Sequence, residues 1–87
     1  MAVYLVEREL PGITVEQLAA TLRAAVAATG RLAAAGTPVR YLRSTFLPAE
    51  SRCLCLFEAP DPATVRELNE TARLPFTRVV EALDLAP

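Results

Sequence analysis

Two cysteines and a handful of charged side chains are the only reactive chemistry in this chain. Cys53 and Cys55 stand in the run Arg52-Cys53-Leu54-Cys55-Leu56-Phe57-Glu58. In an extended strand that spacing puts both thiols on one face. As thiolates they can share a soft or borderline ion such as nickel or zinc. Glu7 and Glu81, on flanking strands, would complete the shell with carboxylate oxygens, and Arg43 nearby would lower a thiol pKa. The plainer reading is that both cysteines are core residues, since free cysteine is among the most buried residue types. Tyr41, Arg43 and Phe57, with Glu7 and Glu81, suggest a second chemistry, the wall of a pocket for a small polar or anionic ligand. Against it, an arginine between carboxylates on neighbouring strands is often a cross-strand ion pair or a dimer contact.

Catalysis finds little support. The chain has no histidine, so Ser44 and Thr45 lack a base to activate them. An arginine between two carboxylates keeps both ionised, whereas a general acid needs one pKa raised. Gly12, Gly30 and Gly36 are dispersed and form no phosphate loop.

Those side chains must be positioned by a single small domain, residues 1–87. Nine basic and ten acidic residues leave a net charge of −1, which offers no long-range attraction to nucleic acid or anionic lipid. No segment approaches the roughly 18 consecutive apolar residues of a membrane span. Met1 to Val6 is too short, and lacks the flanks, for a signal peptide. A cytoplasmic protein is expected. The two cysteine Cα atoms lie about two strand rises of roughly 3.3 Å apart, the outer limit for a disulfide, so free thiols are expected as well.

Apolar alternation predicts strands at about 2–9, 39–47, 52–60 and 77–85, with Pro48-Ala49-Glu50-Ser51 as the turn between the middle two. Thr14 and Gln17 form a capping box, and Val15, Leu18, Leu22, Val26 and Leu32 recur at helical spacing up to a stop at Gly36. Asp61-Pro62 starts a second helix carrying Val65, Leu68 and Ala72 inward. The order β-α-β-β-α-β is the ferredoxin-like α+β pattern, with both helices on one face of a four-stranded antiparallel sheet. The expected helix-facing set is Tyr4, Val6, Leu42, Phe46, Leu54, Leu56, Val80 and Ala82. The other face then holds Val3, Leu5, Glu7, Tyr41, Arg43, Thr45, Cys53, Cys55, Phe57, Val79, Glu81 and Leu83. That face is too apolar for a solvated sheet surface and implies a homodimer.

Three stretches carry a family resemblance: Val6-Glu7-Arg8-Glu9-Leu10-Pro11-Gly12-Ile13-Thr14, Val39-Arg40-Tyr41-Leu42-Arg43-Ser44, and Cys55-Leu56-Phe57-Glu58-Ala59-Pro60-Asp61. They resemble a small bacterial family of largely unknown function that has a ferredoxin-like fold, associates as dimers and includes a streptomycete nickel-binding protein. The resemblance implies a homodimeric metal-binding protein, with nickel favoured and zinc possible. Many members of that family carry a histidine before the first L-P-G turn and two in the second helix. The matching positions here are Arg8, Asn69 and Arg73, which removes the commonest nickel ligand. Fold analogy also allows a dimeric α/β-barrel protein that holds a small molecule over its sheet, as a carrier or a cofactor-free enzyme.

Overall fold

The computed structural model describes all residues from Met1 to Pro87. Strand β1 (Ala2–Glu9) leads through a tight turn into helix α1 (Val15–Ala34). Thr14 Oγ1 accepts from the Gln17 amide while the Gln17 side chain accepts from the Thr14 amide, so the capping box closes on itself. Beyond the helix Gly36 sits at φ +97°, a left-handed conformation that glycine adopts without strain. Strand β2 (Arg40–Leu47), a turn over residues 48–51 and strand β3 (Arg52–Ala59) form the central hairpin. Helix α2 (Pro62–Thr71) starts with Pro62 in its first turn and with Asp61 accepting from the Thr64 amide and hydroxyl. Those hydrogen bonds hold the Asp61 carboxyl below its usual pKa. Strand β4 (Arg78–Ala82) completes the sheet.

The strands lie in the order β2-β3-β1-β4, every neighbouring pair antiparallel. This is the ferredoxin-like arrangement, with the two crossover helices on one face. Val65 and Leu68 of α2 and Ala25 and Ala28 of α1 are buried against the sheet. The core is completed by Tyr4, Val6, Cys53, Cys55, Phe57, Ala59 and Val79.

That core corrects the expected division of faces. Cross-strand partners share a face, and the register pairs Tyr4 with Phe57, Val6 with Cys55 and Arg8 with Cys53. Cys53, Cys55 and Phe57 therefore point at the helices, and Leu54 and Leu56 lie on the open face. The reason is electrostatic: Leu54 and Leu56 alternate in phase with Arg52 and Glu58, whose charges hold that side of β3 toward water, while Cys53, Cys55, Phe57 and Ala59 carry no charge. In β4, Val79 pairs with Val6 and Glu81 with Tyr4, so these turn to the helix side, and Val80 and Ala82, opposite Leu5 and Val3, turn away. Leu83 follows the strand and is exposed. In β2 the register slips between Tyr41 and Arg43, a β-bulge at Leu42. Tyr41, Ser44 and Phe46 then face the helices, while Arg43 and Thr45 stay on the open face as expected.

Candidate functional site

Beneath the helices the sheet holds a buried polar cluster. Cys53 and Cys55 are fully buried and free, with their sulfurs 3.8 Å apart. The Ser44 hydroxyl donates to Cys55 Sγ at 2.9 Å. Because that donation uses the only hydroxyl proton of Ser44, the Tyr41 hydroxyl, also bonded to Ser44 Oγ, is the donor of that contact. Tyr41 packs edge-on against Phe57, with ring centroids 5.5 Å apart. The hydrogen bonds thus run from Tyr41 to Ser44 to Cys55, and Cys53 approaches the same sulfur from the other side.

Arg8 stands across from Cys53 on β1, on the same face, and is itself fully buried. Its Nη1 donates to the Pro75 carbonyl at 3.1 Å, while Nε and Nη2 have no hydrogen-bond partner. Asn69, also fully buried, donates through Nδ2 to the Val65 carbonyl at 2.8 Å and leaves Oδ1 without a partner. Orphaned polar atoms of this kind are rare in protein interiors.

The two thiols are split by their surroundings. The hydrogen bond from Cys53 lowers the Cys55 pKa to about 6, against the opposing effect of burial and with help from Arg8 and Ser44. The proton retained on Cys53 is held by the same bond, and burial and the neighbouring anionic sulfur raise its pKa further. The surroundings thus favour one shared proton, with the negative charge on Cys55 and Arg8 as the nearby cation that acts to lower the pKa of both thiols.

The residues singled out from sequence do not meet at one point. Glu7 lies on the open face, where its carboxylate accepts from Arg52 at 3.2 Å and pairs with Arg78 at 3.2 Å. Partial burial pushes its pKa up, but the two arginines more than offset that and hold it below the usual value. Glu81 is exposed at the sheet edge. Arg43 reaches Asp84 across the open face, away from the thiols, and Tyr41 and Phe57 lie on the opposite side of the sheet from it. No three histidine, cysteine, aspartate or glutamate side chains converge. The clefts that do exist run along α1, the apolar one lined by Leu22, Val26, Ala27 and Tyr41, and none lies over the open face. From the sequence Arg8 is marked only as a position matching a family histidine; its full burial beside Cys53 emerges from the fold, and Glu81, on the same side of the sheet, is exposed at the edge.

The open face has a different character. Val3, Leu5, Leu54, Leu56, Val80 and Ala82 form a half-buried apolar strip with no helix over it. Ion pairs of Glu7 with Arg52 and Arg78, Arg40 with Glu58 and Arg43 with Asp84 surround it. No helix is long and apolar enough to cross a membrane.

Fold and site together define a small ferredoxin-like α+β protein with a buried thiol pair and an uncovered apolar sheet face. The chain belongs to the SCO4226-like family of nickel responsive proteins, whose pattern matches residues 4–82. Its fold is that of SCO4226 from Streptomyces coelicolor A3(2), known from a crystal structure, with a TM-score of 0.80 and 23% identity over 98% of this chain and 100% of the other. No curated protein matches.

Proposed function

We propose that this chain is a homodimeric, non-enzymatic, metal-responsive protein in which Cys53 and Cys55 are the metal donors. The observation that carries this reading is the thiol pair, two buried sulfurs 3.8 Å apart with Cys55 poised as a thiolate. Thiolate is the form that binds metal. Burial keeps substrates away from it, which favours binding over catalysis. The family description brings nickel to this chain as the first ion to consider. The residues do not fit it: there is no imidazole, no third donor converges on the sulfurs, and the cation Arg8 stands beside them. Glu7, committed to Arg52 and Arg78 across the sheet, and Glu81, exposed at its edge, are poorly placed to complete a shell around the thiols. The dimer reading is supported by the uncovered strip around Leu5, Leu54 and Leu56, since contiguous apolar surface of this kind marks interfaces.

Two measurements test the proposal. Sedimentation equilibrium of the wild-type chain should give twice the protomer mass at micromolar concentration, and Leu56→Glu should give the protomer mass while keeping its secondary structure. Metal titration of the reduced protein should saturate, and the Cys53→Ala/Cys55→Ala chain should bind nothing. A monomeric wild type rejects the dimer, and binding undiminished by loss of both thiols rejects the donors.

A further inference from the structure

The buried charges around the thiols restrict which ion the pair can take. Two thiolates bring two negative charges and Arg8 brings one positive. No other charged side chain is fully buried, and Glu7, the nearest acid along β1, points to the opposite face. A monovalent ion leaves the site neutral, whereas a divalent ion leaves one uncompensated positive charge in the core, which is costly in a low-dielectric interior. The donor count agrees. Two sulfurs, with the Ser44 hydroxyl beside them, satisfy a soft ion of low coordination number but leave nickel or zinc short of ligands. So does the spacing. Metal–sulfur bonds near 2.3 Å let one ion bridge sulfurs up to about 4.6 Å apart, and these lie 3.8 Å apart without any backbone movement.

We propose that Cys53 and Cys55 form a site for a soft monovalent cation, copper(I) by preference, and that Arg8 is the counter-charge that selects it over divalent ions. The inference rests on the thiol-centred reading given above. On binding, the remaining thiol proton leaves to solvent and the metal takes its place between the sulfurs. Nε and Nη2 of Arg8, unpaired and on the same face as Cys53, are the donors left for a second thiolate. Ser44 and Tyr41, half-buried on the edge strand β2, are the polar side chains hydrogen-bonded in sequence to Cys55.

The test is an anaerobic titration of the reduced full chain with copper(I), nickel(II) and zinc(II), each in competition with a chromophoric chelator, with thiolate-to-metal absorbance read in parallel. One copper(I) per chain is expected, held roughly 100-fold or more tighter than either divalent ion, the scale on which an uncompensated buried charge weighs. Cys53→Ala and Cys55→Ala should each abolish it. Arg8→Met should narrow the preference by at least about tenfold, while Arg8→Lys, which keeps the charge, should preserve it. Divalent binding equal to or tighter than copper(I), and dependent on the cysteines, overturns the charge argument but leaves the thiol centre standing. Absence of any cysteine-dependent binding removes both. The wild-type affinity ratio tests the copper(I) preference and the Arg8 variants test the counter-charge, with Arg8→Gln, polar but uncharged, replacing Arg8→Met where that variant fails to fold.

Discussion

The two faces of this sheet both carry apolar side chains but treat charge in opposite ways. On the open side most charges are paired at the rim: Glu7 holds Arg52 and Arg78, Glu58 holds Arg40, and Asp84 holds Arg43. On the covered side a single guanidinium lies wholly inside, with two of its three nitrogens unpaired, beside two thiols. Pairs in water contribute little and are screened by salt. An enclosed charge with incomplete partners is a liability that packing must hold in place, and such sites are retained where something binds. The proposed function therefore rests on where the polar groups are left unsatisfied and not on where the charges are most numerous.

The largest expected effect compares neighbours on β3. Phe57→Ala empties a fully buried position under the helices and should cost about 3–5 kcal/mol in chemical denaturation. Leu56→Ala, one residue away on the open face, should cost roughly 1 kcal/mol in dilute protein. Equal losses would show that the open face is as much a core as the covered one.

A change of pH sharpens the same contrast. Below about pH 6 both cysteines are protonated in the folded and unfolded chains, and the pair adds nothing. Between about 6 and the ordinary thiol value of 9.0, the folded chain lacks a proton that the unfolded chain still holds, so stability rises with pH. Above that value the unfolded chain loses both protons while folded Cys53 keeps its own, and stability falls again. Denaturant midpoints should trace this maximum in the wild type and flatten in Cys55→Ser. A profile unchanged by that substitution would deny the thiol pair its shared proton.

The smallest effect belongs to the rim. Glu7→Gln should lower the denaturation midpoint slightly at low ionic strength and less in high salt, because Arg78 is mostly exposed and Arg52 keeps Glu50 as a partner. A loss undiminished by salt would place Glu7 in a more enclosed role.

Much of this architecture was legible from local chemistry. Thr14 with Gln17, Asp61 with Pro62 and the turn over residues 48–51 each mark an element boundary through a backbone requirement that few residues meet. The facing of the strands was harder to read, because leucine and cysteine are both apolar and β3 offers two leucines to one side and two cysteines to the other. The discriminating signal was present in Arg52 and Glu58, whose phase matches that of Leu54 and Leu56. Weighing that phase above bulk hydrophobicity would have placed Cys53 and Cys55 inside. The phase of Arg8 with Tyr4 and Val6 pointed it toward the helices, but a charge there argued against burial, and only the register with Cys53 brings it to the thiols.

The bulge at Leu42 shifts the phase of a single strand partway along its length. With strict alternation, Tyr41 and Ser44 would project to opposite sides of the sheet, and Cys55 would keep only one of the two oxygens now chained to it. One surplus residue in an edge strand thus wires a phenol at the margin of the molecule to a sulfur at its centre. Drawing Leu42 into the ladder would cut that connection, whereas removing it would leave Tyr41, Arg43 and Ser44 in plain alternation opposite their present partners.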